Sequence, residues 1–442
     1  MVIRSFFLIL CFLVVSCNSP IDVDFDIQRV TLSNGLTILL VEDHTVPVVS
    51  FQSWFRVGSV DEIRGKTGLA HLFEHLMFKG TKNFGPKSFL TLLESKGAEV
   101  NAFTTRDYTA YYENMSAPLL QKAIELESDR LKYLNIDQYL LDQEIQVVFE
   151  ERKMRVDNSP RGKMNEALWQ LAFQRHPYRN PVIGYPRDLA HLKKKDLDSF
   201  FKKFYQPSNL ILVVVGDFNM EKTVSELKQF YGNIPRFTRP SRKTIKDEPW
   251  PTSEKRLKMD GYVSSPMVLY GYRVSSAFDR DSYALDLLSN ILFEGESSRA
   301  YQKIVEKEEI ALSLSGSNFT PRYPGLLMIS AVLRNGKRLS DLESQLELLL
   351  KKVQKEGVSD QELESARKQI VADTIDTLRS PFGLARTLGL VEVTVGHAED
   401  FLNDFKKYFD VTSNDIKRVA KKYLDPNHRV VIEMYPKGKN KK

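Results

Sequence analysis

His71, Glu74 and His75 fall within the short run HLFEHLMFKGT, from His71 to Thr81. An α-helix turns about 100° per residue, so His71 and His75 stand roughly 40° apart on one face, with Glu74 roughly 60° from His71 on the flank. Zinc takes nitrogen, oxygen and sulfur ligands in a tetrahedron, and a catalytic site uses three protein ligands and leaves one position open. A carboxylate beside the metal that is not itself a ligand can take the proton of a nucleophilic water. The order H-x-x-E-H is the zincin helix with its histidine and glutamate positions inverted. Two histidines four apart carry little alone, because a structural pair has the same spacing. The setting adds weight: Leu69, Leu72, Phe73 and Leu76 supply the apolar positions of a buried helix, and Gly80 can end it.

Further ligands must come from histidine or carboxylate. The only cysteines are Cys11 and Cys17, both in or at the edge of an apolar leader, so the body of the chain offers neither thiolate nor disulfide. A helix expected from about Asp137 to Val156 carries Glu144, Glu150 and Glu151. Glu144 and Glu151 are seven residues apart and nearly eclipsed on one helical face. Spacing does not fix which of Glu150 and Glu151 turns toward the histidines. A solvated acidic face paired with Arg152, Lys153 and Arg155 is the plain alternative.

The wider string GLAHLFEHLMFKGT resembles the pitrilysin or insulinase family of zinc metallopeptidases, in its smaller, bacterial and mitochondrial-processing-peptidase-like branch. The resemblance covers essentially the whole chain after the leader. It implies an α+β fold of two homologous domains, each a mainly antiparallel sheet packed with helices. It also implies a zinc-dependent endopeptidase acting on extended peptides, with Glu74 as general base. Its third zinc ligand falls on Glu151, with Glu150 as rival, and its supporting glutamate on Glu144, placed to orient a histidine. Asn101 and Ala102 fall on the family's Asn-Ala pair, in a strand that borders the cleft and to which substrate adds as a further strand.

One departure bears on partners. In many relatives the second half carries an Arg and, seven residues on, a Tyr that contact substrate; here Val305 and Leu312 hold those places. Neither can stabilise an oxyanion. The resemblance then implies the zinc-bearing subunit of a heterodimer whose homologous partner supplies the Arg-Tyr pair. A homodimer using an Arg or Tyr from residues 298 to 301 stays open. A reading from another class is a catalytically silent structural or peptide-binding subunit of an envelope complex.

The elements that position these residues read in order. The 442 residues suffice for two or three domains, and 63 basic against 57 acidic residues, spread evenly, specify no nucleic-acid partner. Residues 1 to 16 read as an export signal, and LVVSC resembles a lipoprotein signal that makes Cys17 a lipidated amino terminus on the bacterial envelope, on its periplasmic or extracytoplasmic side. A polar tether follows to residue 26. A hairpin is expected around Asn34-Gly35, and a core strand from Pro47 leads to the zinc helix. His176 is expected to cap or pack its Pro-rich loop. Asp196 and Asp415 head matching runs 219 residues apart, as do Pro47 and Pro266, which argues for a duplicated domain. The division is therefore a catalytic domain over residues 27 to 235, a linker over 236 to 252 and a homologous domain over 253 to 442. In the second copy SYALDLLSNILF, at Ser282 to Phe293, contains no histidine.

Overall fold

A computed structural model describes residues 25–85, 88–242, 245, 248–277 and 279–438. The leader, Cys17 and most of the tether lie outside these residues. The first half runs β1 (Gln28–Thr31), β2 (Thr37–Glu42), β3 (Val48–Phe55), α1 (Leu69–Leu76), α2 (Ser88–Glu94), β4 (Glu99–Thr104) and β5 (Thr109–Ser116). It continues with α3 (Leu120–Tyr133), α4 (Gln138–Arg152), α5 (Pro160–Ala172), α6 (Pro186–Leu189), α7 (Lys194–Phe204), β6 (Leu210–Gly216) and α8 (Met220–Tyr231). The second half begins with β7 (Lys255–Gly261), β8 (Met267–Arg273), α9 (Asp281–Phe293), β9 (Ala311–Phe319) and β10 (Leu326–Leu333). It ends with α10 (Leu339–Glu356), α11 (Asp360–Leu378), α12 (Pro381–Thr394), α13 (Phe401–Asp410), α14 (Ser413–Tyr423) and β11 (Arg429–Pro436).

The first sheet has the order β1-β2-β6-β3-β5-β4 and the second β7-β11-β8-β10-β9. In each, one pair is parallel, β2 with β6 and β7 with β11, and the other pairs are antiparallel. The second sheet thus repeats the first without β1, as the matching runs at Asp196 and Asp415 led one to expect. The fold is α+β with two similar, mixed but mainly antiparallel sheets.

Each sheet is covered on one face by helices of its own half and on the other by a helix from the opposite half. This explains why LILVVVG in β6 is buried along its whole length. Leu384, Ala385 and Leu388 of α12 pack on Leu39, Trp54, Ile211 and Val213 of the first sheet. Conversely, Met164, Leu168 and Trp169 of α5 pack among Leu326, Val430, Ile432 and Met434 of the second. Gly389 and Gly271 allow the close approach, since a Cβ on them would meet the Trp54 ring at 2.2 Å and Leu168 at 2.8 Å. Charges close the same seam. Glu392 of α12, 3% exposed, binds Arg29 at 2.5 Å and Arg56 at 3.0 Å from the first half.

The expected hairpin is present: β1 and β2 pair antiparallel, with Asn34-Gly35 in the connection between Thr31 and Thr37, where the Asn34 amide donates to the Tyr231 and Ile234 carbonyls. One local expectation differs from the structure. The zinc helix stops at Leu76, before Gly80, because the Phe78 and Lys79 amides bond three residues back, to His75 and Leu76, and tighten the last turn.

Candidate metal centre

Helix α1 is held at its start. Gly68, at φ 93°, precedes it, and a Cβ on the facing Gly184 would lie 2.7 Å from Gly68 Cα, so glycine is required on both sides of the contact. The Glu62 carboxylate accepts from the Gly68 and Ala70 amides, both at 2.9 Å, capping the positive end of the helix. Leu72, Phe73 and Leu76 are buried in the core of the first half, with the Phe73 ring stacked on Phe200. That packing turns His71 and His75 outward, toward α4.

Helix α4 is capped by Asp137, whose carboxylate accepts from the Leu140 amide at 2.7 Å. Its buried residues Leu141, Ile145 and Val148 fix its rotation. Glu144 and Glu151 therefore share the face toward α1, while Glu150 is 71% exposed and pairs with Lys153 at 2.5 Å. The residues after it, Lys153–Asp157, form a single wide π-helical turn leading to α5, a distortion common beside functional sites.

His71, His75 and Glu151 each offer one ligand atom, all within 4.8 Å of one another. Glu151 Oε2 lies 3.5 Å from His71 Nε2 and 3.2 Å from His75 Nε2. Buried as it is, that oxygen makes no hydrogen bond of acceptable geometry among the described residues, nor do His71 Nδ1 and Glu74 Oε2. Nitrogen, nitrogen and oxygen donors converging on one point, with an orphaned carboxylate oxygen among them, fit a zinc ion. Behind them, Glu144 Oε1 lies 2.9 Å from His75 Nδ1, and its Oε2 is 2.7 Å from Lys79 Nζ. With Nδ1 donating to Glu144, the lone pair of His75 sits on Nε2, where the ligand cluster needs it.

The electrostatics follow from these contacts. Burial pushes the His75 imidazolium down, but Glu144 and Glu151 outweigh it and hold the pKa up at about 9. The Glu151 carboxyl, facing His71 and His75, is held well below the usual carboxylate range despite its burial. Burial raises Glu144, but His75 and Lys79 prevail and lower it.

The other residues singled out in the sequence are placed as follows. Asn101 and Ala102 lie on β4, the last strand of the first sheet, and Thr104 at its end lines a cavity together with His71 and Glu151. His176 is buried, and its Nδ1 accepts from the Tyr178 amide at 3.2 Å, so it organises its loop. Val305 is buried, Leu312 is exposed, and Arg299 is held by both oxygens of Glu362 at 2.6 and 2.7 Å. Two residues escaped sequence reasoning. Glu62 precedes α1 by a looping segment rather than at cap spacing, and Lys79 announces nothing by its neighbours.

An inverted zincin helix, a carboxylate from a second helix converging on its histidines and a duplicated α+β fold define a zinc metallopeptidase of two homologous domains. The comparisons agree. Residues 37–185 match the family model Insulinase (Peptidase family M16), and residues 191–370 match that of the Peptidase M16 inactive domain. The chain is 30% identical over 421 residues to the zinc protease PqqE of Helicobacter pylori, covering 92% of this chain and 93% of that protein. It is 26% identical to the mitochondrial-processing peptidase subunit beta of Lentinula edodes, over 89% of this chain and 86% of that one. The crystal structure of a protease from Helicobacter pylori superimposes with a TM-score of 0.87 at 29% identity, covering 93% of this chain and all of the other. The chain belongs to peptidase family M16, the insulinase family, and is a zinc protease of its bacterial branch.

Proposed function

We propose that this chain is an endopeptidase for extended peptides in which His71, His75 and Glu151 hold the zinc ion and Glu74 handles the proton. The observation that carries the reading is the convergence of two imidazole nitrogens and one unsatisfied carboxylate oxygen, with the half-buried Glu74 between the two histidines on the same helix. Zinc, when bound, supplies a Lewis acid that makes water nucleophilic near neutral pH. Glu74 accepts the proton of the attacking water and passes it to the leaving amine nitrogen. Glu144 keeps the His75 tautomer that presents Nε2. Substrate adds as an extended strand along the free edge of β4, past Asn101 and Ala102, which leads its scissile bond toward His71 and Glu151.

The chain acts as the zinc-bearing subunit of a two-chain peptidase. Val305 and Leu312 leave it without the Arg-Tyr pair, which a homologous partner supplies. A homodimer using Arg299 instead would first have to break its two bonds to Glu362. A lipid anchor on Cys17 holds the protein at the bacterial envelope, on its extracytoplasmic side. Residues 27 to 235 form the catalytic domain, 236 to 252 the linker and 253 to 442 the non-catalytic homologue. The test compares wild type, Glu74→Gln and His71→Ala on unstructured peptides, with and without the homologous chain. Glu74→Gln retains zinc and loses about 10²- to 10⁴-fold in turnover, the usual worth of a general base; His71→Ala loses both. A Glu74→Gln protein that cleaves at the wild-type rate removes the assigned base.

A further inference from the structure

A cavity of about 270 Å³ opens beside His71 and Glu151. Three arginines stand on its other walls: Arg106, Arg155 and Arg179. Arg106 follows β4 almost directly, so a peptide laid along that strand passes it. Its guanidinium carbon lies 3.6 Å from the centroid of the Trp169 ring, and its Nε donates to the Tyr178 carbonyl at 3.2 Å. These two contacts fix the plane of the fork, and among the described residues no carboxylate pairs with it. Arg179 is exposed and gives only Nη1, to the Gln174 carbonyl at 3.0 Å.

The negative groups in the same walls are already engaged. Both oxygens of Glu166 are held by Arg152, at 2.9 and 3.1 Å. Glu151 faces the histidines, and Arg155 lies 3.1 Å from its other oxygen. The unspent charge of the cavity is therefore positive. A neighbouring cavity of about 520 Å³ shares Arg179 and adds Arg64 and Arg175, while its Arg187 pairs with Asp188 at 3.4 Å. Trp169, Val182 and Ile183 give the first cavity apolar walls beside these arginines.

We infer that this cavity is a carboxylate-recognising subsite, with Arg106 as its specificity-determining residue, which selects peptides carrying an acidic side chain or a free C-terminal carboxylate close to the scissile bond. The inference rests on the peptidase reading above. A planar guanidinium already stacked on an aromatic ring loses little freedom on binding and matches the two oxygens of a carboxylate, which a lysine would not.

The test measures binding separately from catalysis. Labelled peptides are titrated by fluorescence anisotropy into the full-length, zinc-loaded Glu74→Gln chain, together with its homologous partner if activity requires one. The set places Glu, Gln or Lys at one position on an amidated backbone, and adds the Gln peptide with a free C-terminus, so that side-chain and terminal carboxylates are told apart. Either the Glu peptide or the free-terminus peptide binds about tenfold or more tightly than the amidated Gln peptide, as one charge-assisted hydrogen bond provides. That ratio collapses in Arg106→Gln and is partly kept in Arg106→Lys, which retains charge without the fork and controls for folding. Equal binding of Glu, Gln and Lys peptides with no gain from a free terminus, or a full carboxylate preference in Arg106→Gln, overturns the subsite. Cleavage by wild type is read in parallel. Carboxylate preference without cleavage keeps the subsite and sinks the peptidase reading, whereas cleavage without the preference does the reverse.

Discussion

Replacing Glu144 by glutamine tests how far the proposed zinc site depends on a carboxylate placed behind its donors. Glu144 is 3% exposed and has two partners, His75 Nδ1 at 2.9 Å and Lys79 Nζ at 2.7 Å. Glutamine keeps one acceptor for His75 but turns an NH₂ toward the Lys79 ammonium, setting donor against donor. Lys79 is 36% exposed on its side chain, so water can take over part of its solvation, and the loss there falls at the low end for a charged hydrogen bond. The larger effect is on His75, which loses the charge that raises its basicity and the partner that fixes its tautomer. Removing such a partner costs a metal site about 10- to 100-fold in affinity, or about 1.4 to 2.8 kcal/mol. Glu144→Gln should sit near tenfold and Glu144→Ala nearer a hundredfold. Adding Lys79→Gln to Glu144→Gln should recover part of the loss, because it removes the facing donor. The assay is competition for zinc against a chromophoric chelator at one fixed pH. A Glu144→Gln chain within twofold of wild type refutes the assigned role.

Zinc affinity should climb with pH up to about 9, because His75 in the metal-free chain is held protonated to that value and its proton must leave before Nε2 can bind; isothermal titration across pH reads the slope. In the metal-free chain the same shift stabilises the fold fully below the unfolded value near 6.5, and that contribution is lost as pH rises through 9. Glu151 acts oppositely: its lowered pKa contributes stability above about 4.5 that is lost as pH falls through the folded value, so urea midpoints of the metal-free chain should drop toward both ends of the range. Gly389→Ala puts a methyl 2.2 Å from the Trp54 ring and should cost about 1 to 3 kcal/mol in urea unfolding by pushing α12 off the first sheet. Glu392→Gln leaves the buried Arg56 without the carboxylate it meets across the seam, while Arg29 keeps Glu399, and should cost about 3 kcal/mol in the same assay.

The chemistry of the centre was legible because it is written locally. His71, Glu74 and His75 share one helical turn, and the 3.6-residue period alone brings them to one side. The seven-residue step from Glu144 to Glu151 was readable for the same reason. The duplication was readable as well, since two runs 219 residues apart carry the same spacing of polar and apolar residues. Periodicity gives which residues share a face, not where that face points. Whether Glu150 or Glu151 meets the histidines depended on Leu141, Ile145 and Val148 seating α4 against the core, and a rotation of one residue would have exchanged them.

What only the tertiary structure decided involves partners far apart in the chain. Nothing near α12 announces that it covers the first sheet, or near α5 that it covers the second, since an apolar helix face does not name the surface it will meet. Glu62 and Lys79 matter only because folding brings them to the Gly68 and Ala70 amides and to Glu144. The arginine cavity is assembled the same way, from Arg106, Arg155 and Arg179, each unremarkable in its own segment. The sequence by itself determined the donor types, their spacing along two helices and the repeat. Helix rotation, the exchange of covering helices between halves and the charge of the cavity beside the metal centre were set by long-range packing, because those energies belong to pairs of segments and not to either one alone.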